Sequence, residues 1–97
     1  MDPFKAIADP IRRDILAALS ERPLPVHEIA ERFDVSRPAI SKHLRVLSEA
    51  GLVAARRAGK ENLYELRTEA FGPVADWLGR FWSGRLSALK AMAERKT

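Results

Sequence analysis

The segment that spans residues 36–53, SRPAISKHLRVLSEAGLV, divides into an apolar face and a polar face at helical spacing. At about 100° per residue, one stripe collects side chains that are mostly apolar: Ile40, His43, Leu44 and Leu47. The opposite side carries proline, hydroxyl and charged groups: Pro38, Ser41, Lys42, Arg45 and Glu49. A helix with this pattern packs one side against a core and leaves the other side free to contact a partner.

The sequence also marks both ends of this helix. Ser36 suits the N-cap position because its hydroxyl can accept a hydrogen bond from an amide of the first turn, where Pro38 is tolerated. The helix is therefore predicted to begin near Arg37. Gly51 can adopt the left-handed conformation that satisfies the last carbonyl groups, so the helix should end there and an extended segment should follow from Leu52.

Two further helices are predicted near the start of the chain. Asp9 followed by Pro10 supplies an N-cap and a first-turn proline to a helix that runs to about Glu21. A short helix is predicted before it from three apolar side chains: Phe4, Ile7 and Ala8.

A helix-turn-helix is predicted over about residues 26–50. Pro23 and Pro25 cannot donate an amide and disfavour helical geometry in the residue before them, so they predict a linker turn. The next apolar side chains share one face of a two-turn helix: Val26, Ile29, Ala30 and Phe33. This helix and the one that begins near Arg37 form a motif whose second helix can enter the major groove of DNA.

A small antiparallel hairpin, or wing, is predicted over about residues 53–66. The segments 53–58 and 63–66 suit extended strands, and the residues between them favour a turn. Tyr64 and Leu66 share one strand face and should pack on the domain. Three basic side chains would then lie on the rim or near the tip: Arg56, Arg57 and Lys60.

One long helix is predicted over about residues 70–95, where apolar side chains recur at i, i+3 and i+4 spacing. Gly72 leaves its start open between Thr68 and Pro73. From Pro73 to Glu94, such a helix would extend about 33 Å, which is longer than the small body before it can cover.

The uncovered apolar surface of this helix predicts a homodimer through the terminal helices, because soluble monomers avoid such patches. The expected interface residues are Phe4, Ile7, Leu78, Phe81, Trp82, Leu86 and Leu89. Packing of this helix within its own chain is the alternative. Trp77 and Trp82 are interpreted as packing residues rather than as a ligand cage.

Composition limits the class of protein. With 97 residues, of which 46% are hydrophobic, the chain is expected to form one domain over residues 1–97. The absence of cysteine excludes disulfides, thiolate metal sites and thiol redox sensing. The chain has no apolar run of the roughly 20 residues that span a bilayer, and its start is acidic, so a cytoplasmic protein is expected.

The net charge of +4 is unevenly distributed along the chain. Residues 1–35 hold five basic and seven acidic side chains, residues 36–67 hold seven and three, and residues 68–97 hold five and three. The predicted second helix of the helix-turn-helix and the hairpin therefore concentrate positive charge, a pattern that favours a polyphosphate partner. A solvated basic face is the alternative.

In this order, four stretches of the chain resemble the ArsR-type (arsenical-repressor-like) winged helix-turn-helix transcriptional repressors of bacteria and archaea. They are FKAIADPIRRDIL at 4–16, LPVHEIAERFDVSRPAISKHLRVLSEAGLV at 24–53, RRAGKENLYEL at 56–66, and the tryptophan-bearing last helix. The resemblance implies a mainly α fold with a small β-hairpin, and a homodimer that binds an inverted-repeat DNA operator near its own promoter. It implies DNA contacts from Ser36, Arg37, Pro38, Ser41, Lys42, Arg45, Arg56, Arg57 and Lys60.

The resemblance also permits a comparison with the metal sensors of the family. Where those have a cysteine pair in the supporting helix, this chain has Pro25 and His27, and its last helix contains no histidine. His27 with Glu28 and Glu31 is a poor ligand set, because zinc and similar ions need about three or four ligands held together. We therefore expect no metal and no cofactor, as in the cysteine-less relatives, which include autorepressors and proteins without a known inducer.

The expected mechanism is steric repression, in which the dimer occupies a promoter and excludes polymerase. Arg37 is the first choice for reading a base, the hairpin should approach phosphates or the minor groove, and His43 is interpreted as structural. Two alternatives stay open: a metal- or small-molecule-gated sensor of the same fold, and a winged-helix protein-interaction module that does not bind DNA. An enzyme is not expected, because two histidines, no cysteine and no phosphate-cradling glycine loop leave little chemistry to assemble.

Overall fold

A computed structural model describes residues 1–81 and 91–94 of the chain. Its helices are α1 (Pro3–Ala6), α2 (Pro10–Glu21), α3 (Val26–Glu31), α4 (Arg37–Glu49) and α5 (Gly72–Phe81). Its strands are β1 (Leu24–Pro25), β2 (Val53–Ala58) and β3 (Glu61–Leu66), and a 3₁₀ turn covers Thr68–Phe71. Residues 91–94 are also helical. Among the described helices, none is long and apolar enough to cross a membrane.

Short polar side chains cap the N-termini of three helices, and the sequence predicts two of these caps. The Asp9 carboxylate accepts from the amides of Ile11 at 2.8 Å and Arg12 at 3.1 Å at the start of α2. The Ser36 hydroxyl accepts from the amide of Ala39 at 3.3 Å at the start of α4. Asp2 caps α1 in the same way. Each cap satisfies amides that have no partner inside the helix.

Gly51 follows the C-cap of α4 and adopts the predicted left-handed conformation, with φ of 75°. Its amide donates to the carbonyl of Ser48 at 3.0 Å, and the amide of Leu52 donates to the carbonyl of Leu47 at 3.0 Å. This pair of bonds is a Schellman motif. It turns the chain directly from α4 into β2.

The sheet has three antiparallel strands in the order β1-β3-β2, one more than the predicted hairpin. The prediction of a plain linker turn at Pro23 and Pro25 was wrong, because Leu24 pairs with Tyr64 and Pro25 pairs with Leu63. A proline is compatible with this strand because β1 lies at the edge of the sheet. Leu24 is fully buried, so the short strand also contributes to the core.

The core lies between the helices and one face of the sheet. Its fully buried large side chains are Ile15, Leu24, Ile29, Ile40, Leu44, Leu47 and Leu52. Tyr64 and Leu66 pack against this cluster, as predicted. The stripe predicted for α4 is therefore the buried side of that helix, with His43 half-buried at its edge.

The terminal helix begins at Gly72, directly after the 3₁₀ turn, and its start thus falls between the two predicted positions. In α5, Val74 is buried, whereas Trp77 and Leu78 are exposed. Trp82, Leu86 and Leu89 of the predicted dimer interface lie outside the described residues.

Candidate nucleic-acid interface

The outward face of α4 presents the side chains for which the family resemblance implies DNA contact. All six are exposed: Ser36, Arg37, Pro38, Ser41, Lys42 and Arg45. The opposite side of the helix supplies Ile40, Leu44 and Leu47 to the core. Within the described part of the chain, the cations of this face form no ion pair. The helix therefore offers unpaired positive charge and hydroxyl groups on a surface whose other side is anchored in the core.

The two arginines of β2 lie on opposite faces of the hairpin. Adjacent residues of a strand alternate between faces, and Arg56 reaches across to Glu65, with its Nε 3.1 Å from Oε2 of the carboxylate. The Nε of Arg57 instead donates to the carbonyl of Gly59 at 3.0 Å, within the turn of the hairpin. The predicted basic rim is thus divided: Arg56 is paired with a carboxylate, and Arg57 lies on the side of the hairpin that faces the helices.

A groove of about 370 Å³ separates the hairpin from the helix-turn-helix, and we call it the wing groove. Its lining residues come from β1, α3, α4 and the hairpin: Pro25, Val26, His27, Arg37, Arg57, Lys60, Glu61, Asn62 and Tyr64. Arg37, Arg57 and Lys60 therefore share one concave surface. The structure brings these three predicted DNA-contacting residues together, and it places Arg56 elsewhere.

His27 lies at the wing groove beside an acidic residue of β3. Its Nδ1 is 3.6 Å from Oε1 of Glu61, and both side chains are about half exposed. The Glu28 carboxylate, which the sequence places one residue after His27, is 3.0 Å from a guanidinium nitrogen of Arg22. Across residues 1–81 and 91–94, no three histidine or carboxylate side chains come together in a way that could hold a metal ion.

The half-buried side chain of His43 contacts another helix of the same chain. Its Nδ1 lies 3.4 Å from Nη1 of Arg12 on α2. At the start of the same helix, the backbone amide of Arg12 lowers the pKa of Asp9 by hydrogen bonding, against the opposing effect of burial. The amide of Ile11 and the nearby His43 and Arg12 side chains lower it further. These contacts favour a structural role for His43.

An apolar surface lies on α1 and α5. The rings of Phe4 and Trp77 meet edge to face, with centroids 6.0 Å apart and planes at 85°. Phe4, Trp77 and Leu78 are 41%, 50% and 43% exposed, respectively. Ile7, also predicted at the dimer interface, is half-buried and packs against the core. The sequence predicts Trp77 only as a packing residue, and its position beside Phe4 adds it to the predicted interface.

A helix-turn-helix followed by a basic hairpin defines the winged helix-turn-helix class of proteins. The family model described as "Bacterial regulatory protein, arsR family" matches residues 9–55, which extend from the N-cap of α2 into β2. The HTH-type transcriptional regulator Rv2034 of Mycobacterium tuberculosis is 42% identical over 87% of this chain and 78% of its own length. Transcriptional repressor SdpR of Bacillus subtilis is 38% identical over 80% of this chain and 87% of its own length. The chain belongs to the ArsR family of bacterial regulatory proteins.

Solved structures agree with this assignment. The crystal structure of a possible transcriptional regulator for arsenical resistance superposes with a TM-score of 0.78 at 36% identity, over 94% of this chain and 95% of that one. A homodimeric winged helix-turn-helix DNA-binding domain from Mycobacterium bovis superposes with a TM-score of 0.67 at 28% identity, over 84% of this chain and 76% of that one. The family consists of transcriptional regulators rather than enzymes.

Proposed function

We propose that the protein is a homodimeric transcriptional repressor that binds an inverted-repeat operator, with its own promoter as one target. The observation that carries this proposal is the shared placement of Arg37, Arg57 and Lys60 around one groove beside the exposed face of α4. Such a surface matches the phosphate backbone and a groove of duplex DNA. The names of the relatives, which include repressors, support the same role.

The proposed division of labour follows from where each side chain lies. Arg37, Ser41, Lys42 and Arg45 would face the major groove, with Arg37 reading a base edge from the first turn of α4. Arg57 and Lys60 would approach the backbone beside the neighbouring minor groove. Repression would follow from occupancy of the promoter, which excludes polymerase. The proposed place of action is accordingly the cytoplasm, and the proposed role is binding without catalysis.

The proposed dimer uses the apolar surface of α1 and α5. Phe4, Trp77 and Leu78 form its described part, and burying them against a second copy would remove exposed aromatic and aliphatic area from water. A two-fold axis through this surface would relate the two α4 helices by the same symmetry as the halves of an inverted-repeat operator. The homodimeric relative from Mycobacterium bovis supports this assembly.

Selection of bound duplexes from a random DNA pool tests the proposal. The expected result is an enriched sequence with dyad symmetry, which the protein then binds more tightly than a scrambled duplex of the same composition. Transcription in vitro from a promoter that contains the enriched sequence should fall as the protein is added. Failure to bind any duplex at low salt would contradict the proposal and favour a protein-interaction module.

A further inference from the structure

Strand β2 forms one edge of the sheet, because the strand order is β1-β3-β2. The register of its pairing determines which backbone groups face outward. The amide of Arg67 donates to the carbonyl of Leu52 at 2.9 Å, and in an antiparallel ladder every second residue then bonds to the neighbouring strand. Ala54 therefore bonds to β3, whereas Ala55 and Arg57 direct their amide and carbonyl groups away from β3. We call these outward groups of Ala55 and Arg57 the free edge.

The free edge has few of the features that protect an edge strand from pairing. Within residues 1–81 and 91–94, no element pairs with it. The pairing of residues 53–58 with β3 contains no bulge, and β2 contains no proline. The opposite edge of the sheet, by contrast, is a two-residue strand that ends in Pro25. The one protective feature of β2 is the charge of Arg56 and Arg57, which repels a basic strand but not an acidic one.

A cleft of about 590 Å³ lies beside the start of the free edge, where β2 meets the end of α4 and the segment before α5. Most of its lining residues have a small side chain or none: Ser48, Gly51, Ala54, Ala55 and Ala70. These small residues leave room for the side chains of a strand that pairs with β2.

The charge of β2 and its turn selects the kind of strand that can be added. Residues 53–60, VAARRAGK, contain three basic and no acidic side chains. Arg56 is paired with Glu65 across the hairpin, whereas Arg57 forms no ion pair in the part of the chain that the structure describes. A second copy of β2 would bring three more cations to this edge, and like charges on adjacent strands are destabilising. An acidic strand would instead place carboxylates next to Arg57.

We infer that the free edge of β2 is a docking site for an extended acidic segment of a partner protein, which adds to the sheet as a fourth strand. Main-chain hydrogen bonds to Ala55 and Arg57 provide affinity, and carboxylates beside Arg57 provide selectivity. The effect on DNA binding rests on the proposed function, which assigns Arg57 to the DNA backbone. Because a docked segment covers Arg57, it competes with the operator.

Titration of the protein with a short capped peptide tests the docking site. The probe is about eight residues long and alternates glutamate with valine or threonine, as an added strand requires. One control peptide carries lysine in place of glutamate, and the other is the acidic peptide with its amides N-methylated, which removes its backbone donors. Fluorescence anisotropy should show that the acidic peptide binds on the order of tenfold more tightly than either control.

Amide hydrogen exchange, followed by NMR, locates the bound peptide on the protein. In the free protein, the amides of Ala55 and Arg57 should exchange faster than those of Ala54 and Arg56, which bond to β3. The acidic peptide should slow exchange at Ala55 and Arg57 and leave Ala54 and Arg56 unchanged. This measurement needs no variant, so it keeps the inference falsifiable if a substitution in β2 disturbs the fold.

Ala55→Pro removes one amide of the free edge without removing a bond to β3, so the sheet should tolerate it. This variant should bind the acidic peptide on the order of tenfold less tightly, whereas Ala55→Ser should bind it like the wild type. Both variants should bind the operator normally, because Ala55 is not among the proposed DNA contacts. A saturating concentration of the acidic peptide should weaken operator binding by the wild type and by Ala55→Ser, but not by Ala55→Pro.

The outcomes separate this inference from the proposed function. Equal binding of the acidic and N-methylated peptides, or slowed exchange away from Ala55 and Arg57, would overturn the inference. Exchange at Ala55 that slows as the concentration of the protein alone is raised would also overturn it, because the edge would then pair two copies of this chain. Unchanged operator affinity with the peptide bound would refute the competition. If the peptide docks but the protein binds no duplex, the docking site stands and the proposed function fails.

Discussion

A guanidinium nitrogen of Arg12 lies 3.4 Å from Nδ1 of His43, and this contact joins α2 to α4. The same guanidinium donates through Nε to the carbonyl of Ala6 at 2.7 Å and through Nη2 to the carbonyl of Lys5 at 3.4 Å. Arg12 therefore connects the end of α1, which carries part of the apolar surface, to the helix that carries the proposed DNA contacts.

His43→Ala should weaken the fold without changing which sequence is bound. Loss of the Arg12 contact and of half-buried side-chain packing should lower the free energy of unfolding by about 1 kcal/mol. A double-mutant cycle with Arg12→Ala, measured by urea unfolding, should give a coupling energy of about 0.5 kcal/mol or more. The ratio of affinities for operator and scrambled duplex should stay at the wild-type value. A changed preference at a single base pair would instead make His43 a base-reading residue.

The Asp9 cap should make stability depend on pH in the acid range. Hydrogen bonds from the backbone of Arg12 and Ile11 lower the pKa of Asp9 in the folded state below its ordinary value of 3.8. The resulting stabilisation is fully present above that value and is lost as the pH falls through the lowered pKa. Asp9→Asn keeps a capping oxygen without the charge. Its free energy of unfolding should therefore lie below that of the wild type at neutral pH, and this difference should shrink below about pH 4. A deficit that is constant from neutral to acid pH would exclude the carboxylate charge as its source.

Gly51→Ala should cost about 1 to 2 kcal/mol of stability, measured by thermal or urea unfolding. An added Cβ would lie 3.6 Å from Cβ of Ala70, an ordinary contact, so the expected cost comes from the left-handed backbone. Gly72→Ala is the matched control, because a Cβ there meets nothing within 4 Å and the helical backbone accepts alanine. Equal costs at the two positions would contradict the backbone explanation.

The parts of the fold with strong local signals could be predicted from the sequence. The cap at Ser36, the apolar spacing of α4 and the glycine at its end locate one helix closely, because all three signals are local. Strand β1 was missed because a two-residue edge strand has no periodicity, and only its partner on β3 stabilises it. Pro25 disfavours a helix, which is all that the sequence pattern indicates, but an edge strand tolerates a proline.

The sequence predicts which residues belong to the candidate site but not how they are arranged in space. Strand alternation alone could have separated Arg56 from Arg57, since adjacent side chains point to opposite faces. The pairing of Arg56 with Glu65 depends on the register of β2 and β3, which the sequence does not specify closely. The wing groove joins residues from four elements, so it follows only from the tertiary structure.

Arg37→Ala should reduce affinity for the operator by about 1 to 3 kcal/mol and relax the preference at one base pair. The physical reason is the loss of a donor pair aimed at a base edge from the first turn of α4. Gel-shift titrations against operators that carry each single-base change would locate the relaxed position. Equal weakening on operator and scrambled duplexes would assign Arg37 to the backbone instead.

Leu78→Glu should dissociate the dimer while leaving each protomer folded. Leu78 is 43% exposed on α5, and a buried carboxylate in the proposed interface would be unpaired. Asp76→Lys reverses a charge on an exposed side of α5 that points away from Trp77 and Leu78, and it should stay dimeric. Sedimentation velocity with circular dichroism would compare the two. Dimers of unchanged stability in Leu78→Glu would move the interface away from this surface.

Dimeric operator binding is tested most directly by a hydroxyl-radical footprint on the selected operator, combined with the mass of the complex. We expect two protomers per duplex and two protected windows related by a dyad, with centres about 34 to 36 Å apart or a multiple of that distance. One protomer per duplex, or a single window without two-fold symmetry, would contradict it.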